Sequence, residues 1–415
     1  MIKHNIKEYI NIYLLYNNKL MTRDTVLQEV LDLQGNNFLL ELPTGTGKSK
    51  IALEKIKSLN NNNKNSKLLI VVPRNVHKDN WKNEINKWWH SNNLIIEYTT
   101  YVSFPKYKGT WDYIIFDECH HLSERCRDAI CDFTINHSIL LSATVSKTLK
   151  DELREVFDNL VLYKLNLREV IEGEILPDPK VYLWPLELNV GFPTEAIFKN
   201  PKAKGTILEC NWKDRWAFIK QKNHPVRIYC TERQYYSDLT NQIEYWKKRY
   251  LRLRNTIAKN KWLKLCSDRL KWLSDKKVKH LHKLLPQLIN YRTLTFCNSI
   301  EQTEILGEYC INSKNNNSIQ NLQDFNNGKI NHITACSMLN EGMNLTNCQI
   351  GIYANLNSSE TIVKQRTGRL LRHPNPVIII PYFKNTREEE LVQKMLEDYN
   401  PELVTTITNI KSIKI

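Results

Sequence analysis

Residues 37–56 read NFLLELPTGTGKSKIALEKI. An apolar run, Asn37–Leu42, stops at Pro43. Two glycines follow, Gly45 and Gly47. Beyond Lys48, Ile51, Ala52, Ile56 and Leu59 recur at the spacing of one helical face. A buried strand, a glycine turn and a helix in that order build a phosphate cradle. Gly45 and Gly47, preceded by Thr44 and Thr46 respectively, let backbone N–H groups face phosphate oxygens, and the helix N-terminus adds a favourable dipole. Lys48 is placed to reach the β- and γ-phosphates of a nucleoside triphosphate, and Ser49 to ligate Mg²⁺. The stretch departs from the strict G-x-x-x-x-G-K-[ST] pattern, because Leu42 stands where the first glycine would be.

A second stretch, residues 113–126, reads YIIFDECHHLSERC. An apolar strand ends in Asp117-Glu118 about 70 residues after Lys48. An acidic pair there suits phosphoryl transfer. Asp117 would hold Mg²⁺ and Glu118 would orient and deprotonate the attacking water. The competing reading is zinc. Structural zinc uses C-x₂₋₄-C and H-x₃₋₅-H spacings. Cys119, His120 and His121 are consecutive, so their side chains cannot all converge.

The 415 residues suffice for two or three compact units. None of the ten cysteines is paired as C-x-x-C, and several lie in apolar runs, which suits free thiols in a reducing compartment. The N-terminal MIKHNIKEYI has no apolar signal core, and no run approaches the about 18 apolar residues of a membrane span. The expectation is a soluble intracellular protein of cytoplasm or nucleoid, or a viral protein in its host. Asn-rich stretches such as Asn60–Asn63 and Asn315–Asn317 read as solvated loops or as the composition of an AT-rich genome.

Charge is concentrated. Residues 201–285 hold 22 Lys/Arg against 7 Asp/Glu, a surplus equal to that of the whole chain, 59 against 44. Everything outside the segment is balanced. Five of the ten tryptophans, Trp212, Trp216, Trp246, Trp262 and Trp272, lie in it. Basic residues interleaved with aromatics suit a polyanion carrying stackable bases. The alternative is a solvated helical face, with at least half of these tryptophans in the core.

Continuous apolar runs of the kind that form buried parallel strands occur twice over. The first set is Asn37–Leu42, Leu68–Val72, Tyr113–Phe116 and Ser138–Leu141; the second is Thr293–Cys297, His332–Cys336, Ile350–Ala354 and Val377–Ile380. Helical patterns separate them. The expected fold is α/β, with two tandem domains carrying parallel sheets. The boundaries are 1–176 for the first domain, 177–290 for a basic, mainly helical insert, and 291–415 for the second domain. Within the insert, Leu251–Ile289 reads as two helical segments, and Arg387–Tyr399 as a helix near the C-terminus.

Short motifs in a fixed order make a resemblance specific. Pro43–Ser49, Asp117–His120 (DECH), Ser142-Ala143-Thr144 (SAT) and Gln365–Arg372 (QRTGRLLR) resemble motifs I, II, III and VI of the superfamily 2 helicases. Val71–Asn75 is similar to motif Ia, Thr295–Ser299 to motif IV and Leu339–Leu345 to motif V. Tyr98–Ser103 is similar to a segment that touches the nucleic-acid backbone. The likeness covers roughly residues 20–385. Its nearest flavour is the DExH branch of UvsW-like phage helicases, excision-repair helicases and restriction-enzyme motors.

The resemblance implies two RecA-like P-loop domains that clamp ATP and Mg²⁺ between them. Lys48, Asp117 and Glu118 would act from the first domain. Gln365 would sense the γ-phosphate, and Arg369 and Arg372, three apart on a helix, would serve as arginine fingers. Gly342 and Asn344 would lie near the nucleotide, although many relatives carry aspartate at the place of Asn344. His120, Ser142 and Thr144 would relay nucleotide state to the strand-binding surface. Arg74, Thr100 and Thr346 would hold the nucleic-acid strand. One departure stands out. Relatives carry a glutamine three residues after an upstream arginine, where it reads adenine. After Arg23 that place holds Val26, and Gln28 would point elsewhere, so adenine selectivity is not implied. The implied activity is that of an ATP-dependent DNA helicase or translocase in recombination, repair or replication. The alternatives are an RNA helicase, or a motor subunit whose protein partner supplies the specificity.

Overall fold

The computed structural model describes residues 21–60, 65–90, 94–336, 345–357 and 359–414. The first domain runs α1 (Arg23–Asp32), β1 (Asn37–Glu41), α2 (Lys48–Leu59), β2 (Ser66–Val72), α3 (Asn75–Trp88), β3 (Leu94–Thr100), β4 (Gly109–Asp117), α4 (Glu124–Ile130), β5 (Phe133–Ser142), α5 (Lys147–Val156), β6 (Val161–Lys164) and α6 (Leu167–Glu172). Its sheet has the order β3-β2-β4-β5-β1-β6, and every pairing is parallel. The central strands are apolar throughout because helices cover both faces; Leu39, Leu40, Leu68–Val72 and Ile114–Phe116 are buried. Each such side chain contributes about 1.5–3 kcal/mol.

Parallel pairing fixes the site. The carboxyl ends of β1, β5 and β4 lie side by side on one edge, which brings Pro43–Ser49, Ser142–Thr144 and Asp117–Glu118 together. The Leu42 N–H donates to Ser142 O at 2.9 Å, tying two of these turns. Lys55, buried in α2, donates to Leu31 O and Leu33 O at 2.9 and 2.7 Å and so satisfies carbonyls at the C-terminal end of α1.

The rest of the chain runs β7 (Lys180–Leu186), β8 (Glu195–Lys199), β9 (Leu208–Asn211), α7 (Arg215–Ile219), β10 (Val226–Cys230), α8 (Glu232–Leu253), α9 (Thr256–Lys276), α10 (Val278–Leu284), β11 (Thr293–Phe296), α11 (Ile300–Leu306), β12 (Cys310–Ile311), α12 (Ser318–Asn326), β13 (His332–Ala335), β14 (Ile350–Tyr353), α13 (Glu360–Leu370), β15 (Val377–Phe383), α14 (Arg387–Leu396) and β16 (Val404–Thr406). The second sheet has the order β12-β13-β11-β14-β15-β7-β16, again all parallel.

Here the expected division at 177 and 290 changes. β7 pairs with β15 over seven residues, from Lys180↔Val377 to Leu186↔Phe383, so the second sheet takes a strand from before the insert. Leu281, Leu284 and Leu288 pack with Ile350, Ile352 and Val377, so α10 also belongs to that domain. What stands apart is the small sheet β8-β10-β9 and the hairpin of α8 and α9. The tryptophans differ from expectation too. None of the five is buried: Trp216 is 63% exposed and the other four are half-buried. All ten cysteines are free thiols. Among the described residues no helix is long and apolar enough to cross a membrane.

Candidate active site

The turn after β1 has the geometry its glycines allow. Gly45 and Gly47 sit at φ +100° and +91°, where a side chain would be strained. Thr46 closes the turn through its hydroxyl, which donates to Pro43 O at 2.9 Å. The Lys48 ammonium lies 3.6 Å from Glu118 Oε1, an ion-pair distance too long for a hydrogen bond. Lys48 Nζ, Thr44 Oγ1 and Glu118 Oε2 are buried without a hydrogen-bond partner among the described residues.

Asp117 ends β4. One carboxylate oxygen accepts from the indole N–H of Trp81 at 2.9 Å, and its carbonyl accepts from the Tyr101 hydroxyl at 2.8 Å. Burial, and then the neighbouring charge of Glu118, push the Asp117 carboxyl up to about 6; the Trp81 bond and Lys48 pull against that. Glu118 itself adopts φ +50°, a left-handed conformation that costs a residue with a Cβ about 1–2 kcal/mol. That turn lets the carboxylates of two consecutive residues share one cleft. Glu118 Oε2 stands 3.4 Å from His120 Nδ1, which is 3.1 Å from Ser142 Oγ; that hydroxyl donates to Thr144 O at 2.8 Å. A continuous polar chain therefore runs from Lys48 through Glu118 and His120 to Ser142 and Thr144. The other residues of the acidic stretch are engaged elsewhere. Cys119 is buried, with its thiol pushed up by burial, and Cys126 Sγ donates to Tyr101 O at 3.3 Å.

The second domain closes over this edge. A cleft of about 530 Å³ is lined by Thr44, Gly45, Gly47, Lys48, Ser49, Asp117 and Glu118 on one side and by Arg369 and Arg372 on the other. The approach is close at the backbone: a Cβ on Gly368 would stand 2.6 Å from Thr44 Cβ and from Thr44 O. Gly368 is thus required by the domain contact, and only the fold reveals it. Arg369 and Arg372 do not share a helical face as expected, because α13 ends at Leu370. Arg372 reaches the cleft from the turn beyond. Burial pushes its guanidinium down and Glu84 opposes that. Arg366, in contrast, is locked in the domain: it donates to Asn355 O at 3.1 Å and lies 5.0 Å from the Phe296 ring centroid. Gln365 is buried, with Nε2 lacking a hydrogen-bond partner, but it does not line the cleft. Gly342 and Asn344 lie outside the described residues. His77, Asn80, Trp81, Asn83 and Glu84 also line the cleft from α3. Sequence reading missed this helix, whose only signal was its position after Val71–Asn75.

The profile of the family described as type III restriction enzyme, res subunit, matches residues 14–106, and that of the helicase conserved C-terminal domain matches residues 276–374. The two fall on the two halves of the cleft, in order. Together they support a superfamily 2 helicase or translocase.

Solved structures agree in fold. A Saccharomyces cerevisiae Dbp5 variant bound to RNA and ADP BeF3 superposes with a TM-score of 0.56 at 11% identity, covering 96% of this chain and 92% of that one. A fragment of an HsdR subunit of a type I restriction enzyme from Vibrio vulnificus gives 0.54 at 16% identity, covering 93% and 67%. The helicase domain of Pyrococcus furiosus Hef gives 0.50 at 14%, covering 90% and 97%. No curated protein matches the chain in sequence.

A superfamily 2 helicase is a nucleic-acid-dependent ATPase that normally uses Mg²⁺. The cleft fits both groups. It offers a glycine turn at a helix N-terminus and an unbonded buried ammonium for phosphate, and the adjacent carboxylates Asp117 and Glu118, the hard oxygen donors that Mg²⁺ takes. Arg74 is the N-cap residue before α3 and lines a second inter-domain cleft with Asn298, Ser299 and Cys336. Thr100 ends β3 beside Val72, on the same sheet edge. The Thr346 N–H donates to Asn326 Oδ1 at 2.9 Å. Val26 is buried in the core and Gln28 donates to Asp32 at 2.8 Å on the exposed face, so neither reaches the cleft.

Proposed function

We propose that the chain is an ATP-driven DNA translocase. The observation that carries this reading is the assembly of Lys48, Ser49, Asp117, Glu118, Arg369 and Arg372 around one inter-domain cleft. Lys48 binds the β- and γ-phosphates, and Ser49 and Asp117 would hold Mg²⁺. The metal supplies neutralisation of phosphate charge. Glu118 orients the attacking water and accepts its proton. Arg369 and Arg372 balance the charge that develops on the transferred phosphoryl group. His120, Ser142 and Thr144 couple Glu118 to the neighbouring turn, and the strand lies across Arg74, Thr100 and Thr346.

DNA is favoured by two likenesses, to the res subunit family and to the type I restriction subunit. The Dbp5 structure is bound to RNA, which makes RNA the outcome to test against. The same two likenesses are to subunits, which favours a second reading: a motor whose partner directs it in repair, recombination or restriction. The experiment is steady-state ATP hydrolysis with single-stranded, duplex and forked DNA and with RNA. Stimulation by DNA supports the proposal. Stimulation by RNA alone overturns it. DNA-stimulated turnover without unwinding favours the subunit reading.

A further inference from the structure

The α8–α9 hairpin projects from the second domain and divides into halves with opposite charge chemistry. At the root, charges are paired. Lys276 meets Glu195 and Glu232, Lys279 meets Glu232 at 3.3 Å, and Lys199 meets Asp238 at 3.1 Å. Lys277 and Glu388 form a fully buried pair. Toward the tip, residues 244–264 carry eight cations, Lys247, Lys248, Arg249, Arg252, Arg254, Lys259, Lys261 and Lys264, against Glu244 alone. All eight are exposed, and among the described residues none of them makes an ion pair. Like charges this dense repel one another, so a fold gains nothing from them unless an anion comes to the surface.

Aromatic rings hold three of these cations, Arg249, Arg254 and Lys261, in place. Lys261 Nζ lies 4.4 Å from the Trp246 ring centroid, with Arg249 5.4 Å away. Trp262 stacks on Tyr250 at 5.8 Å, and Arg254 lies 5.8 Å from the Tyr250 centroid. Trp246, Tyr250 and Trp262 thus each pack against a protein group, whereas a base-stacking platform keeps its faces bare. The connection is rigid: Arg254, at φ +49°, and Asn255, whose side chain accepts from Ala258 N at 2.8 Å, join two long helices by a two-residue turn.

We infer that the distal half of the α8–α9 hairpin is a second nucleic-acid site, which grips the phosphodiester backbone of a duplex. It rests on the proposed function only for the identity of the polyanion. A duplex presents a charge about every 1.7 Å, twice the density of a single strand, and suits a stiff arm about 30 Å long. The root is wired to the motor. Ser274 Oγ donates to Ala354 O at 2.9 Å, and the next residue, Asn355, holds Arg366 of α13.

The test compares the wild type with a protein carrying Lys247→Gln, Lys248→Gln, Lys259→Gln and Lys264→Gln, four cations that do not lie on rings. Anisotropy measures binding of a mixed-sequence duplex and of the matching single strand over a salt series. Duplex affinity is expected to fall at least about tenfold, and the slope of log affinity against log salt to flatten by about 3 to 4. An unchanged thermal midpoint reports an intact fold. Duplex affinity and slope equal to wild type would overturn the inference. So would a Trp246→Leu protein that loses single-strand binding more than duplex binding, because that marks base stacking. ATP turnover of the wild type is scored separately. If DNA stimulates it but the arm variant binds duplex normally, the arm fails and the proposed function stands. If duplex binding is lost with the cations but no polymer stimulates turnover, the reverse holds.

Discussion

Lys277 and Glu388 meet at 2.5 Å with both side chains fully buried, whereas Lys48 and Glu118 stand 3.6 Å apart with both partly exposed. The first pair is closed on all sides. Lys277 also donates to Ala354 O at 3.2 Å, and Glu388 accepts from Phe383 N at 3.0 Å. Burial pushes the Lys277 ammonium down and the Glu388 carboxyl up, and each partner pulls the other back. The second pair is left open, since Lys48 Nζ and Glu118 Oε2 have no hydrogen-bond partner among the described residues. One pair locks the insert to its domain. The other keeps its capacity for a third charged group. Burial raises the cost of an incomplete polar set, so an incomplete set that persists marks a place where chemistry is done.

Removing an open-site charge should cost turnover and spare the fold. Arg372→Ala is expected to retain nucleotide binding and to lower stimulated kcat by roughly 10³–10⁵, as for other arginine fingers. Steady-state kinetics beside a nucleotide titration check both halves. Removing a closed-pair charge should do the opposite. Lys277→Met strands a buried carboxylate and should destabilise the protein by about 3–5 kcal/mol in denaturant unfolding. Adding Glu388→Gln should recover most of that loss, since the uncompensated charge is then gone.

Two smaller effects probe the shell of the open site. Gly368→Ala suits a helix better than glycine does, yet its Cβ would strike Thr44. Turnover should fall by up to about 10²-fold through misplacement of Arg369 and Arg372, with the thermal midpoint unchanged or raised. Trp81→Phe removes one hydrogen bond to Asp117. Mg²⁺-dependent nucleotide binding should weaken about tenfold, near 1.5 kcal/mol. The loss should be larger at pH 6 than at pH 8. The Trp81 bond opposes the upward push on a carboxyl already at about 6, so without it more of Asp117 is protonated at the lower pH.

The eight apolar runs read from the sequence all became strands, because central parallel strands are buried on both faces and their composition says so. β3 was missed because it lies at the sheet edge and its burial alternates, leaving no continuous run. β7 was assigned to the insert because its sheet partner, β15, lies almost 200 residues later; no local signal reports such a pairing. The cleft residues at strand ends were legible, since the spacing of Lys48, Asp117 and Ser142 follows from strand–turn geometry. Trp81 and Gly368 were not. Each acts through a partner on another element, Asp117 for one and Thr44 for the other. The burial of the five tryptophans was not legible, because composition does not reveal that Trp212, Trp216, Trp246 and Trp272 face cations and Trp262 a tyrosine, with only Trp212 and Trp272 also packing at the edge of a core cluster.

The most direct test is Glu118→Gln, assayed for ATP binding and for hydrolysis with and without DNA. The substitution keeps shape and removes the proton acceptor. The account predicts nucleotide binding near wild type and DNA-stimulated turnover lowered by about 10²–10⁴. Full turnover in the Glu118→Gln protein would contradict it, because the open pair would then not be where the chemistry happens.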